Sequence, residues 1–175
     1  MIMRKSQFEA VLIAAAKVSG EKQFVVVGSQ SVHAHTDSAP VEVLISKECD
    51  IWPKGREEKL AVVEETLGQR SAYFTEHGVY VDAVEPGLIL LPTGWERRLK
   101  PFQAGDVTAW CLEVNDLVVS KLNAGRLKDY EFINAVLRIR LADFDEIVKR
   151  IESFPDLHQR AVLLARLRIS GERMP

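Results

Sequence analysis

A chain of 175 residues has the usual length of a single domain. Its composition, 47% hydrophobic and 27% charged, excludes a largely disordered protein. The formal net charge of -2 excludes the strongly basic field of a dedicated nucleic-acid binder, although it leaves room for a local basic patch.

The sequence predicts a soluble, cytoplasmic protein with no membrane partner. The apolar stretch near the N-terminus is interrupted by Glu9 and Lys17, whereas a signal peptide has a continuous apolar core. No run approaches the roughly 18 apolar residues of a membrane span. The two cysteines, Cys49 and Cys111, are too few for a disulfide framework and suit a reducing compartment.

Taken in chain order, the hydrophobic pattern predicts helices and short strands in alternation. The first segments are a helix over 6–20, a buried strand over 24–27, the first turns of a helix over 30–35, strands over 41–45 and 49–52, and a helix over 56–67. Residues 73–75 and 79–84 flank Glu76-His77-Gly78 and predict a hairpin, and a further strand is predicted over 106–111. Helices are predicted over 115–122, 128–140, 143–151 and 155–169.

This order predicts an α/β (α+β) fold, in which a small mixed β-sheet has flanking helices and the C-terminal third is helical. We expect an α/β core over 1–113 and a helical region over 114–175 that packs on it as one compact unit.

The most informative residues are two acidic side chains, one just before and one within the predicted strand over 49–52. Residues i and i+2 of a strand share a face, so Glu48 and Asp50 lie side by side while Cys49 points to the interior. Two carboxylates this close are costly unless a cation is present or one of them is protonated. Mg²⁺, which prefers oxygen ligands, is the natural solution.

Asp82 is a polar residue within the apolar segment 79–84 and therefore needs an explanation. Beside Glu48 and Asp50 it would complete a three-carboxylate site able to hold two metal ions, as in enzymes of phosphoryl transfer. Gly28-Ser29 follows a buried strand and would bind phosphate at a helix N-terminus. The alternative is a solvated strand end with Asp82 capping a hairpin.

The order of these motifs resembles the DNA polymerase β nucleotidyltransferase superfamily. Val27-Gly28-Ser29 and Glu48-Cys49-Asp50-Ile51 stand where its Gly-Ser and metal-binding motifs occur. The segment 112–129 is similar to an element of small bacterial nucleotidyltransferases, including the abortive-infection toxin (AbiEii-like) type and uncharacterised relatives. The resemblance covers residues 24–132.

The resemblance implies roles for the acidic residues. Glu48 and Asp50 bind Mg²⁺, or Mn²⁺ in its place, and Asp82 is the third carboxylate, which activates the incoming hydroxyl. Glu85 competes with Asp82 for this last role because the assignment follows chain order alone. Glu48 also departs from the pattern, in which Asp is commoner, so this ligand is one methylene longer.

The resemblance also implies nucleotide-binding residues. Gly28 and Ser29 hold the triphosphate, Lys121 approaches the phosphates, and Asp129 completes the site. The implied reaction transfers a nucleoside monophosphate from an NTP to a hydroxyl of RNA, a protein or a small molecule. A toxin–antitoxin or phage-defence role is compatible with it, with an antitoxin or a second copy of the chain as partner. The alternatives are a catalytically incomplete nucleotide-binding or regulatory module and a metal-free interaction protein.

Overall fold

The structure is a computed structural model that describes residues 2–172, and this part of the chain contains five β-strands and eight α-helices. The strands are β1 (Gln23–Val26), β2 (Glu48–Pro53), β3 (Tyr80–Ala83), β4 (Lys100–Ala104) and β5 (Val107–Cys111). The helices are α1 (Lys5–Ser19), α2 (Val41–Leu44), α3 (Leu60–Leu67), α4 (Ala72–His77), α5 (Val114–Ala124), α6 (Leu127–Arg138), α7 (Phe144–Glu152) and α8 (Leu157–Glu172). None of these helices combines the length and the apolar character needed to cross a bilayer.

The five strands form one mixed sheet in the order β3-β2-β1-β5-β4. β1 runs antiparallel to β2 and parallel to β5, β3 runs parallel to β2, and β4 runs antiparallel to β5. β1 is central because its Phe24-Val25-Val26 run is apolar on both faces, as a strand covered on both sides must be. The predicted fold class, a small mixed sheet with flanking helices and a helical C-terminal third, is confirmed.

The chain divides into two compact units. The first comprises the residues up to Leu88 together with Leu99–Leu112, and it contains the whole sheet. The second comprises Ile89–Arg98 and the residues from Glu113 onward, and it contains α5 to α8.

The core of the first unit lies between the sheet and the helices α1 and α3. Phe24 and Val26 of β1 and Cys49 and Ile51 of β2 are fully buried in it. Because side chains alternate along a strand, Asp50 belongs to the opposite face of the sheet. The face that packs on α1 and α3 therefore forms the core. Glu48, Asp50 and Asp82 belong to the opposite face, which we call the acidic face.

In the second unit, a buried ion pair ties the segment Ile89–Arg98 to the helices. Arg98 donates two hydrogen bonds to the carboxylate of Asp116 on α5, at 2.7 and 2.9 Å. Arg150 of α7 approaches the same carboxylate at 3.4 Å. Burial raises the pKa of Asp116, while the hydrogen bond and charge of Arg98 act in the opposite direction. Asp116 thus connects three segments of this unit.

The predicted strand over 41–45 is wrong, because this segment forms the single helical turn α2. Pro40 precedes the turn with φ -65°, a value that suits the start of a helix, and its carbonyl accepts a hydrogen bond from the Val43 N–H. Val43 is buried. Packing of this one side chain therefore outweighs the β preference of the valines.

The predicted hairpin is also wrong, because its first arm is the helix α4. The Ser71 hydroxyl accepts a hydrogen bond from the Phe74 N–H at the start of α4, and Gly78 ends it with φ 69°. A serine N-cap together with a glycine C-cap is typical of a short helix. The second arm is the strand β3, which pairs in parallel with β2 instead.

Candidate functional site

The candidate site begins with two aspartates that the sheet places next to each other. β2 and β3 are parallel neighbours, and their register sets Asp50 opposite Asp82. Register partners share a face, and neighbouring strands are about 4.8 Å apart. Asp50 is half-buried and Asp82 is exposed. The alignment of Asp82 with Asp50 gives the juxtaposition expected of paired cation ligands.

Gly28 lies against the carboxylate of Asp50. A Cβ atom built on Gly28 would be 1.7 Å from Oδ2 and 2.6 Å from Cγ of Asp50, so no other residue fits there without displacing the aspartate. The backbone of Gly28 is extended, with φ -90° and ψ -169°, so this contact rather than an unusual conformation requires glycine. The Val27 N–H donates to the Asp50 carbonyl at 3.0 Å and holds the two segments together.

Ser29 begins a 3-10 helix, Ser29–Ala34, where the sequence predicts the first turns of an α-helix. Ser29 is half-buried, and Ser31 caps the preceding strand by donating from its hydroxyl to the Val26 carbonyl at 2.9 Å. Six residues of 3-10 helix lack the dipole of a longer α-helix. The phosphate-binding prediction for Gly28 and Ser29 therefore depends on their own N–H and hydroxyl groups.

Glu48 is held by a tyrosine that the sequence analysis did not assign to the site. Tyr80 is the register partner of Glu48, and its hydroxyl donates to Oε2 of Glu48 at 3.0 Å. Burial, followed by the charge of the Glu48 carboxylate, raises the pKa of Tyr80 to about 12, so the hydroxyl stays protonated at neutral pH. Tyr80 lies two residues before Asp82, and this spacing indicates that the two share a face of β3. That Tyr80 lies opposite Glu48 follows only from the β2–β3 register.

Glu85, the rival of Asp82, lies beyond the end of β3 and is exposed. It has no register partner on β2, whereas Asp82 is aligned with Asp50. The strand pairing therefore favours Asp82 as the second carboxylate of the site.

The donor set suits a magnesium site with two protein carboxylates. Within residues 2–172, no group of three or more His, Cys, Asp or Glu side chains is placed to hold a metal ion. Mg²⁺ in nucleotide-dependent enzymes commonly takes only one or two carboxylates and fills its remaining positions with water and substrate phosphates. Asp50 and Asp82 fit this arrangement, and the role of Glu48 as a further ligand stays a prediction.

Lys121 and Asp129 belong to the second unit and pair with each other. Nζ of Lys121 lies 3.3 Å from Oδ1 of Asp129 and 4.5 Å from the centre of the Phe132 ring. Arg126 donates to the other oxygen of Asp129 at 2.8 Å. Burial acts to raise the pKa of Asp129, but the Arg126 hydrogen bond and the Lys121 charge outweigh it and the pKa is lowered. A role for Lys121 and Asp129 in nucleotide binding stays a prediction.

Both cysteines are free and buried, as the sequence suggests. Burial raises the pKa of Cys49 well above its ordinary value, and the neighbouring Asp50 carboxylate adds to the effect. Because the thiolate is the reactive form, Cys49 has no nucleophilic role at this site.

A mixed sheet that presents paired aspartates beside a glycine agrees with the nucleotidyltransferase resemblance, and a family comparison identifies the same class. A family model described as a nucleotidyltransferase of unknown function (DUF6036) matches residues 6–161. The chain therefore belongs to this nucleotidyltransferase family. No curated protein and no solved structure gave a significant match. The narrower resemblance to the AbiEii-like toxin type stays a prediction.

Proposed function

We propose that the chain is a metal-dependent nucleotidyltransferase that moves a nucleoside monophosphate from an NTP to a hydroxyl group. The observation that carries this proposal is the alignment of Asp50 with Asp82 across two strands, with Gly28 in contact with the Asp50 carboxylate. Membership of a nucleotidyltransferase family supports the same class of reaction.

In this mechanism Asp50 and Asp82 would hold a divalent cation, Mg²⁺ or Mn²⁺. When bound, such a cation offsets the negative charge of the phosphate oxygens and of the departing pyrophosphate. The backbone of Gly28 and the hydroxyl of Ser29 orient the triphosphate. Because no side chain separates Gly28 from Asp50, a phosphate held at the Gly28 backbone would lie beside the carboxylate that would hold the cation.

The transfer step needs a base near the acceptor. The acceptor oxygen attacks the α-phosphorus of the NTP, the bond from that phosphorus to the bridging oxygen breaks, and pyrophosphate leaves. Asp82 accepts the proton of the acceptor hydroxyl. Asp82 is exposed on a strand at the edge of the sheet, so RNA or a protein can reach it as well as a small molecule.

We extend the proposal to a toxin–antitoxin or phage-defence role, which is supported by the resemblance to small bacterial nucleotidyltransferases.

The test uses the four NTPs, each labelled in the α-phosphate, with Mg²⁺ or Mn²⁺ and a cell lysate as the source of acceptor. We expect label to enter RNA, protein or a small product. In Asp50→Asn the transfer falls by more than about 100-fold, the upper end of what loss of an outer-shell partner costs. Asp106→Asn, which changes an exposed aspartate of the β4–β5 turn, serves as the matched control and keeps full activity. Equal activity in both variants contradicts the proposal.

A second candidate function is a nucleotide-binding or regulatory module. It is favoured by the observation that, among residues 2–172, no group of three or more His, Cys, Asp or Glu side chains is placed to hold a metal ion. This function predicts that an NTP with Mg²⁺ raises the melting temperature while no pyrophosphate is released with any acceptor. Release of pyrophosphate that depends on Asp50 excludes it.

A further inference from the structure

Tyr80 connects the helix α4 to the acidic face of the sheet. Its ring packs edge-on against Phe74 of α4, with ring centres 5.1 Å apart and an interplanar angle of 74°. Its hydroxyl donates to Oε2 of Glu48 at 3.0 Å. The ring position is thus set by packing on one side, and the hydroxyl reaches a carboxylate on the other.

Glu48 is the residue of the acidic face that most needs such support. Its side chain has one more rotatable bond than an aspartate, so it loses more conformational freedom when it is held in one place. Glu48 lies two residues before Asp50 on the same face of β2, and the register places Tyr80 directly opposite it. The hydrogen bond from Tyr80 therefore holds the negative charge of Glu48 next to the aligned pair Asp50 and Asp82, two residues away along the strands.

We propose that Tyr80 is a positioning residue for the cation site: it fixes Glu48 so that the charge of Glu48 strengthens the binding of a divalent cation at Asp50 and Asp82. This inference rests on the proposed function, because it requires a cation at those aspartates. Partners in the outer shell of a metal site act in this way, by orienting carboxylates and adjusting the local field. In this role Tyr80 would act through Glu48 and would touch neither the cation nor the substrate.

The experiment measures Mn²⁺ binding to the full chain without nucleotide, from the electron paramagnetic resonance signal of free Mn²⁺. We expect Tyr80→Phe, which removes only the hydroxyl, to weaken binding about 10-fold. Tyr73→Phe removes the hydroxyl of another tyrosine in the first unit and should leave binding unchanged. Phe74→Leu keeps the Tyr80 hydroxyl but loosens its ring, and should give a smaller loss.

The decisive comparison is with Glu48→Gln, which removes the charge but keeps an acceptor for Tyr80. If Tyr80 acts through Glu48, the double variant Tyr80→Phe/Glu48→Gln binds Mn²⁺ no more weakly than Glu48→Gln alone. A full additional 10-fold loss in the double variant, or unchanged binding in Tyr80→Phe, overturns the inference. Unchanged binding in Asp50→Asn instead contradicts the proposed function, so the two failures are distinguishable.

Discussion

Asp50 can occupy its position only because residue 28 has no side chain. A methyl group at Gly28 would overlap Oδ2 of Asp50 and would lie 3.0 Å from its Cβ, so rotation of the carboxylate alone does not relieve the clash. We expect Gly28→Ala to displace Asp50 and to weaken Mn²⁺ binding at least 10-fold, as for an outer-shell loss. The overpacking also costs about 1–3 kcal/mol of unfolding free energy, measured by urea denaturation.

Gly87→Ala is the control for this variant. No atom lies within 4 Å of a Cβ built on Gly87, and its φ is not in the left-handed region, so the added methyl meets open space. It should change neither Mn²⁺ binding nor stability. If Gly28→Ala binds Mn²⁺ as the unmodified chain does, the contact between Gly28 and Asp50 has no functional importance.

The sequence identified Gly28 and Asp50 as candidate residues but could not predict that they touch. Their residue types and their places at the ends of short apolar runs are local features. Their contact depends on the antiparallel register of β1 and β2, which sets Val26 opposite Ile51. Register is decided by the packing of both strands together, which a single sequence does not display. The hydrogen bond between Tyr80 and Glu48 cannot be predicted for the same reason, because it depends on the register of β2 and β3.

At the scale of the element, β3 is an edge strand whose free side is partly covered by a glutamate. The N–H groups of Tyr80 and Val84 donate to the carbonyls of Lys47 and Ile51. Because N–H groups alternate along a strand, the Ala83 N–H points away from β2. The Glu64 carboxylate of α3 accepts this hydrogen bond at 2.9 Å. Carboxylates at a sheet edge also discourage pairing with a second chain.

We therefore expect Glu64→Ala to lower the unfolding free energy by about 0.5–1.5 kcal/mol, the usual net value of one hydrogen bond. Urea denaturation followed by circular dichroism measures the change. Glu64→Gln keeps an oxygen acceptor for Ala83 and should lose less stability than Glu64→Ala. Equal losses in the two variants would show that the hydrogen bond does not stabilise β3.

The elements differ in how well the sequence predicts them. The long helices α1 and α5 to α8 follow clear apolar periodicity, which predicts each of them. The strand β4 was missed because Lys100 and Gln103 leave little apolar signal in an edge strand that is covered on one face. Tyr73, Phe74 and Thr75 favour β structure and so predict a strand where the helix α4 forms, because the capping residues on either side are the stronger signals.

At the scale of the whole molecule, the family match over 6–161 includes segments of both units. It extends past residue 132, where the sequence resemblance ends, through α7 and into α8. The helical region is thus part of what defines the family.

The N-terminal segment and the 3-10 helix after Gly28 are linked through His33. The His33 ring stacks on Phe8 of α1, with ring centres 5.3 Å apart, and its Nε2 lies 3.3 Å from the Met3 carbonyl oxygen. His33 is 8% exposed. Burial lowers the pKa of His33 below its ordinary value of 6.5, although the hydrogen bond to the Met3 carbonyl acts against this shift.

This shift predicts a stability that falls in mild acid. The unfolded chain binds a proton at His33 at a higher pH than the folded chain does, so unfolding takes up a proton as the pH falls through 6.5. The loss cannot exceed about 1.4 kcal/mol per pH unit, the limit for one proton. We expect melting temperatures recorded from about pH 7.5 to about pH 5.5 to decrease, and His33→Phe, which keeps a ring against Phe8, to reduce that slope. His158→Gln changes an exposed histidine and should retain the slope. If the melting temperature of His33→Phe falls with pH as steeply as that of the unmodified chain, a different group causes the loss of stability in acid.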